Sequence, residues 1–103
     1  FLGWSYFIHH SNVFSKWLLK LKDAKGKVSI LRRIDRMKLG NFGDNKSVGN
    51  NISELRITTS TAYRVYYTKK DDEIIVLLIG GDKSTQSDDI KKANEILKEL
   101  DNE

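Results

Sequence analysis

Two arginines and a lysine are the residues of this sequence best suited to chemistry, namely Arg56, Arg64 and Lys83. Arg56 lies in the segment ISELRIT, where a period of two places it on the same face as Glu54. Arg64 lies in the next segment, AYRVYYTK, and shares a face with Tyr66. When the short polar turn between these segments pairs them as strands, both guanidinium groups project from one surface. Lys83 follows the next apolar strand, where it can overhang that surface.

This set of groups suits cleavage of a phosphodiester by a neighbouring hydroxyl. The reaction needs the attacking 2′-oxygen deprotonated, the phosphoryl charge stabilised and the leaving oxygen protonated. Arginine can grip phosphate oxygens through two parallel hydrogen bonds, which predicts this role for Arg56 and Arg64. Lys83 is predicted to stabilise charge or to supply a proton, and Tyr66 to stack on a base or orient the substrate. Lys46, in a stretch rich in Gly and Asn, can approach the same ligand.

A simpler interpretation of the same residues stays open. Arg56 and Arg64 can form ordinary cross-strand charge pairs with Glu54, each worth about 0.2–1 kcal/mol. Exposed charge pairs are common on sheets and need carry no activity. Strand spacing alone does not separate the structural role from the catalytic one.

The first part of the chain predicts a strand followed by two helices. Aromatic and β-branched residues without a turn former predict the strand at 5–10. Ser11 or Asn12 can cap the first helix, and Asp23 can cap a second helix that Gly40 ends, with basic residues mainly on its outer face. The apolar residues expected to face inward from these helices are Val13, Phe14, Trp17, Leu18, Leu21, Val28, Leu31, Ile34 and Met37.

The middle of the chain predicts three strands. Residues 41–51 are rich in Gly and Asn and are expected to form a loop. The period then changes to two, which predicts strands at Ile52–Thr58 and 62–69. The apolar run IIVLLI predicts a central strand at 73–79, which the following glycine pair is expected to end.

The last part of the chain predicts a helix and completes the fold. Apolar residues at helical spacing predict that this helix begins at Ser87 or Asp88. The predicted order is therefore β-α-α-β-β-β-α. It favours an α+β fold, with two N-terminal helices and a C-terminal helix on a mostly antiparallel sheet, in a single domain over 1–103.

Charge is distributed unevenly along the 103 residues, whose net charge is +4. The first 51 residues carry ten Lys or Arg and three acids, whereas the remaining 52 carry eight and eleven. A basic first half is compatible with a polyanion such as RNA, because binding gains from neutralising phosphates. A solvated helical surface accounts for the same charges equally well.

Several classes of protein are disfavoured by what the sequence lacks. With no Cys, disulfides and thiolate catalysis are excluded, which suits a reducing, cytoplasmic compartment. No apolar run approaches the roughly 20 residues that span a bilayer, and the first ten residues lack the features of a signal peptide. We therefore expect a cytoplasmic protein without a membrane partner.

Familiar cofactor and metal motifs are also missing. The glycine pair before Lys83 lacks the spacing of a phosphate-binding loop, and no nucleophile elbow or metalloprotease helix occurs. His9 and His10 are adjacent, so on a strand they point to opposite faces and cannot jointly hold a metal. We predict neither a metal nor a cofactor.

Taken in order, several blocks of the chain resemble one known family. These blocks are FSKWLLKLKD, ILRRIDRMKLGNFGDNKSVG, ISELRI, AYRVYYTKK and IIVLLIGGDKSTQSDDIKKA. Together they resemble the HigB-like "addiction module killer protein" branch of the RelE/ParE toxin superfamily, over about residues 6–100. Residues 1–4 lie outside the resemblance and are predicted to be an extension.

The resemblance implies a compact RelE-like α+β domain and the toxin of a type II toxin–antitoxin system. Such toxins typically cleave messenger RNA on the translating ribosome and need no metal, which makes this chain an expected endoribonuclease that inhibits translation. By position, their basic catalytic residues correspond to Arg56, Arg64 and Lys83. The implied partners are the ribosome, mRNA and a cognate antitoxin, which is usually a helix-turn-helix protein. The toxin is expected to contact operator DNA only through that antitoxin.

The chain departs from RelE itself in two places. Glu54 stands where RelE has a lysine, and the tyrosine near the C-terminus of RelE has no clear match. The general base is therefore unassigned. Two alternatives stay open: a ParE-like poison of DNA gyrase, which the retained Arg56, Arg64 and Lys83 disfavour, and a catalytically inactive binding module of the same fold.

Overall fold

The computed structural model describes residues 5–102. It contains five strands, three α-helices and a short 3-10 helix, so the α+β class is confirmed. The strands are β1 (Phe7–His10), β2 (Asn45–Gly49), β3 (Ile52–Thr58), β4 (Ala62–Lys70) and β5 (Ile74–Asp82). The helices are α1 (Asn12–Lys20), α2 (Ala24–Lys38) and α3 (Gln86–Asp101), and the 3-10 helix spans Lys83–Thr85.

The five strands form one sheet in the order β1-β5-β4-β3-β2. Strands β2 to β5 are joined as an antiparallel meander, whereas β1 pairs with β5 in parallel. The sheet is therefore mostly antiparallel, as predicted. No helix within the described part of the chain combines the length and apolar character needed to cross a bilayer.

Each face of the sheet is covered differently. Helices α1 and α2 pack on one face, over β5 and β3 respectively, and α3 packs on the other face over β4 and β5. The first face carries the larger apolar core, made of Phe14, Ile30, Ile34, Met37, Leu55, Ile57, Tyr63, Val65, Tyr67, Ile75 and Leu77. The face under α3 carries a smaller apolar core, made of Ile52, Tyr66, Val76, Leu78, Ile79, Ala93 and Ile96.

Side-chain caps fix where the first two helices begin. The Ser11 hydroxyl accepts a hydrogen bond from the Phe14 amide at 3.0 Å, and the Asp23 carboxylate accepts one from the Gly26 amide at 3.0 Å. Ser11 also donates to the Leu78 carbonyl at 2.6 Å, which ties the start of α1 to the central strand. Both capping predictions are confirmed.

The predicted loop at 41–51 is partly wrong, because Asn45–Gly49 forms the edge strand β2. Asn50 and Asn51 both have positive φ, at 54° and 64°, and connect β2 to β3 as a two-residue hairpin turn. Asn adopts this left-handed conformation more readily than most residues. Composition identified the turn formers, while the strand they terminate depends on pairing with β3.

The glycine pair after the apolar run does not end the central strand, which continues to Asp82. Both glycines instead allow close approach of a side chain. A Cβ atom on Gly80 would lie 2.3 Å from the Trp17 ring of α1, and one on Gly81 would lie 1.9 Å from Asp89 Oδ2 of α3. Strand alternation thus directs each glycine to a different face of the sheet.

The inward face of α2 was predicted correctly at Ile34 and Met37 but wrongly at Val28 and Leu31. Val28 and Leu31 are 46% and 41% exposed, whereas Ile30, Ile34 and Met37 are buried. Gly26 marks the true inward face, because a Cβ atom there would lie 2.5 Å from the Tyr63 ring. The helix is rotated so that Gly26 rather than Val28 meets the sheet.

The predicted extension at 1–4 lies outside the described residues. The final helix begins at Gln86 rather than at Ser87 or Asp88, since a 3-10 turn precedes it.

Candidate active site

Pairing of β3 with β4 brings the predicted arginines together. Arg56 lies directly opposite Arg64 in the antiparallel register, and Glu54 lies opposite Tyr66. Opposed residues point to the same face, so all four side chains lie on the α3 face of the sheet. Leu55 alternates to the apolar core on the other face. The shared surface predicted from strand spacing is present.

Glu54 is the centre of this cluster and is 1% exposed. Its Oε1 atom accepts a hydrogen bond from Arg56 Nε at 3.0 Å and from Arg64 Nε at 3.1 Å. Its Oε2 atom accepts a hydrogen bond from Gln86 Nε2 at 2.9 Å. A buried carboxylate needs such partners, because an unpaired charge away from water is strongly unfavourable. The charge pairs with Glu54 therefore exist, one within β3 with Arg56 and one across to Arg64 of β4, although the shared carboxylate is buried rather than exposed.

The geometry of these ion pairs leaves the outer ends of both arginines available. Glu54 engages each guanidinium group through Nε, and the Nη atoms of Arg56 and Arg64 form no hydrogen bond within residues 5–102. The Arg56 and Arg64 side chains are 35% and 14% exposed. Two cations against one carboxylate leave one net positive charge. Glu54 thus acts as an anchor that orients the two guanidinium groups.

Lys83 lies at the same end of the sheet as the arginines. The register pairs Arg64 with Gly81, and Lys83 is two residues further along, in the 3-10 helix that contacts β4. Its side chain is exposed. Asp82 fixes the turn by accepting hydrogen bonds from the Ser84 amide at 2.8 Å and from the Ser84 hydroxyl. Lys83 is therefore displayed from a defined turn beside the arginine pair.

Lys46 lies in a strand rather than in a loop. It is exposed in β2 and stands opposite Glu54 in the β2–β3 register, which places it on the same face as the cluster. This edge position extends the line of cations from Lys83 through Arg64 and Arg56 to the rim of the sheet.

The burial of Tyr66 conflicts with one of its two predicted roles. The side chain is 0% exposed, so its ring offers no face on which a base can stack. Its hydroxyl is buried and makes no hydrogen bond with the described part of the chain. Burial raises the pKa of Tyr66 well above its ordinary value, and the neighbouring Glu54 and Asp89 carboxylates add to the effect. An orienting role for this residue stays a prediction.

Two residues that position the cluster were missed from the sequence. Gln86 is the first residue of α3 and links that helix to Glu54. Arg33, expected on the solvated face of α2, donates instead to the backbone carbonyl of Arg56 and, at 2.9 Å, to that of Phe42. Sequence contains no signal for either contact, because each joins segments that are distant along the chain.

Metal-ligating side chains do not converge near the arginines. Within residues 5–102, no three His, Cys, Asp or Glu side chains lie close enough together to hold an ion. The arginine cluster can bind a phosphodiester and stabilise negative charge on the phosphoryl oxygens.

The fold and this cationic cluster together define the class: an α+β domain with the RelE fold. A free-state structure of E. coli toxin RelE, in a doubly substituted mutant form, matches with a TM-score of 0.70 and 18% identity over 88% of this chain and 96% of that chain. A chain of the intact E. coli RelBE toxin–antitoxin complex matches with a TM-score of 0.59, at 18% identity over 76% of this chain and 96% of that chain.

The chain belongs to the family of phage-derived Gp49-like proteins (DUF891), whose model matches residues 16–101. It is also 49% identical over 87 residues to an uncharacterised protein of Haemophilus influenzae strain Rd, covering 84% of this chain and 88% of that protein. The predicted RelE-superfamily membership is confirmed, while the HigB-like branch stays a prediction.

Proposed function

We propose that this protein is the toxin of a type II toxin–antitoxin system and acts as a metal-independent, ribosome-dependent mRNA endoribonuclease. One observation carries the proposal. A buried carboxylate orients two arginines through Nε and leaves their Nη atoms without a hydrogen-bond partner among residues 5–102. Membership of the Gp49-like family and the RelE fold support the same class.

In the proposed reaction, Arg56 and Arg64 bind the non-bridging oxygens of the scissile phosphate. Their charge favours the transition state, in which negative charge on the phosphoryl group increases. Lys83 stabilises that charge or protonates the leaving 5′-oxygen. Lys46 binds a flanking phosphate, and Glu54 keeps both guanidinium groups in place. Cleavage would be slow on free RNA, because an open cationic surface relies on the ribosome to position its substrate.

We further propose an antitoxin partner that silences the toxin. The RelBE structure is that of a toxin–antitoxin complex, and a chain of that complex shares this fold. The proposed antitoxin is a helix-turn-helix protein that carries the toxin to operator DNA. An acidic or carboxylate-bearing segment of such a partner would find its complement in the unengaged guanidinium nitrogens of Arg56 and Arg64.

The proposal is tested by comparing the wild type with Arg64→Ala and with Arg36→Ala. Arg36 lies on the exposed side of α2 and serves as a charge-matched control. Each protein is induced in a bacterial host while growth and translation are followed, and each is assayed on mRNA bound to translating ribosomes. We expect wild type and Arg36→Ala to arrest translation, and Arg64→Ala to cleave at least about 100-fold more slowly, as expected when a charge-stabilising donor is lost.

Other outcomes would contradict the proposal in distinct ways. Arrest by both wild type and Arg64→Ala, with signs of DNA damage, would indicate a gyrase-directed toxin. Absence of arrest by the wild type would indicate an inactive binding module. Efficient degradation of ribosome-free RNA that EDTA abolishes would contradict both the ribosome dependence and the metal independence.

A further inference from the structure

The residue opposite Arg64 is Gly81, which has no side chain, and the Asp89 carboxylate of α3 occupies the space beside it. Arg64 is paired with Gly81, and opposed Cβ positions in antiparallel strands lie about 4.5–5.5 Å apart. A Cβ atom on Gly81 would lie 1.9 Å from Asp89 Oδ2. The Asp89 carboxylate therefore fills the space where a side chain at position 81 would stand, next to the stem of Arg64.

Three other carboxylates lie near this end of the sheet, and each either accepts hydrogen bonds from other groups or is exposed on the outer side of α3. Glu54 accepts hydrogen bonds from two arginines and a glutamine. Asp82 caps the 3-10 helix through Ser84, which lowers its pKa and makes it a weaker base. Asp88 is exposed on the outer side of α3. Asp89, in contrast, forms no ion pair within residues 5–102 and accepts a hydrogen bond from the Thr85 hydroxyl.

The surroundings of Asp89 favour exchange of a proton. Burial raises the pKa of its carboxyl above the ordinary value, the Thr85 hydrogen bond opposes this, and the nearby carboxylates Asp82 and Asp88 raise it further. From β4 it faces Tyr66, and it lies beside Gly81, the residue that the register pairs with Arg64. A carboxyl group with a pKa moved towards neutrality is a better general base than an ordinary surface aspartate.

We propose that Asp89 is a catalytic residue that accepts the proton of the attacking RNA 2′-hydroxyl. This inference rests on the proposed nuclease function and supplies the base that the sequence left unassigned. The 2′-oxygen forms a bond to phosphorus as its proton passes to the Asp89 carboxylate. The bond from phosphorus to the 5′-oxygen breaks, and that oxygen takes a proton from the Lys83 ammonium group. The products are a 2′,3′-cyclic phosphate and a free 5′-hydroxyl.

The test compares Asp89→Asn with Asp88→Asn on mRNA bound to translating ribosomes. Asn keeps the volume of Asp89 and an oxygen that accepts from Thr85, but it cannot take up a proton. We expect single-turnover cleavage by Asp89→Asn to be about 100-fold slower at pH 7, with ribosome binding unchanged and the acidic limb of the pH–rate profile lost. Asp88→Asn removes the same charge from the same helical turn and should cleave within about twofold of wild type.

A second variant keeps the inference testable should Asp89→Asn fold poorly. Thr85→Val removes the hydroxyl that holds the carboxylate, and Thr85 forms no side-chain cap to α3 that would be lost. Because this hydrogen bond lowers the pKa of Asp89, its removal should move the acidic limb to higher pH. An unmoved limb, or full activity of Asp89→Asn, would overturn the role of Asp89 alone. A wild type that cleaves nothing would overturn the proposed function and this inference together.

Discussion

The two faces of the sheet are built on different principles. The face under α1 and α2 carries the larger apolar core, and the Asp23 carboxylate and the Arg33 guanidinium, which form hydrogen bonds on this side, are only partly buried. The face under α3 is divided, with an apolar core beneath the helix and a cluster of charged residues, Glu54, Arg56 and Arg64, beyond it. The comparison indicates that one face supplies most of the stability, so that the other can carry buried charges.

The largest expected effect comes from the apolar face. Phe14 is fully buried and contacts the rings of His10 at 5.2 Å and Trp17 at 5.8 Å between centroids. Phe14→Ala should lower the free energy of unfolding by about 3–5 kcal/mol, measured by urea denaturation. Leu19→Ala, on the exposed side of the same helix, is the control and should change it by no more than about 0.5 kcal/mol. Slower cleavage by folded Phe14→Ala would contradict the view that this face contributes to stability and not to activity.

An effect of intermediate size is expected from alanine substitutions at Gly80 and Gly81, which are adjacent in β5 but point to opposite faces of the sheet. Gly80→Ala forces a methyl group against the rigid Trp17 ring and should lower the free energy of unfolding by about 1–3 kcal/mol. Gly81→Ala displaces the Asp89 carboxylate, which is the end of a flexible side chain. It should therefore lower the free energy of unfolding less than Gly80→Ala does, but reduce the rate of cleavage more. Thermal unfolding and ribosome-bound mRNA cleavage of both variants check the contrast. Equal effects of the two substitutions on both quantities would contradict it.

The smallest expected effect concerns the buried hydroxyl of Tyr66. Because this hydroxyl makes no hydrogen bond with the described residues, Tyr66→Phe should leave stability at pH 7 unchanged or slightly higher. Burial raises the pKa of Tyr66 in the folded state, so its stabilising contribution is complete below pH about 10 and is lost as pH rises through the folded value. The free energy of unfolding should therefore fall less steeply above pH 10 in Tyr66→Phe than in wild type, by urea denaturation across that range.

Tyr63→Phe is the matched control for this prediction. The Tyr63 hydroxyl donates to Asp23 Oδ2 at 2.8 Å, so its removal should lower stability already at neutral pH. Lower stability of Tyr66→Phe at pH 7 would show that its hydroxyl does have a partner in solution.

Local patterns predicted the parts of the fold that depend on local physics. Strand alternation placed Arg56 and Arg64 on one face, and the caps at Ser11 and Asp23 fixed the starts of two helices. The edge strand β2 was missed because its five residues are polar and become a strand only through pairing with β3. The orientation of α2 was missed because the residue that meets the sheet is a glycine, and hydrophobic periodicity gives Gly26 no weight.

The sequence predicted which residues form the candidate site better than it predicted the surroundings of those residues. Sequence spacing predicted that both arginines and Glu54 share one face of the sheet. It did not indicate that the Glu54 carboxylate is buried or that Gln86 donates a hydrogen bond to it. No sequence pattern drew attention to Asp89, which lies in the first turn of α3. Its proximity to Arg64 depends on Gly81, and the effect of a missing side chain becomes visible only when the helix above it is in place.

The parallel pairing of β1 with β5 constrains the order in which the molecule can fold. Phe7 pairs with Ile74, so this contact closes a long loop that runs from residue 7 to residue 74, whereas strands β2 to β5 are joined by short turns. Closing a long loop has a larger entropic cost and is generally slower than forming a hairpin. The antiparallel meander is therefore expected to form first and β1 to dock last. Since Ser11 and α1 follow β1 directly, the whole apolar layer on that face is completed only after the central strand exists.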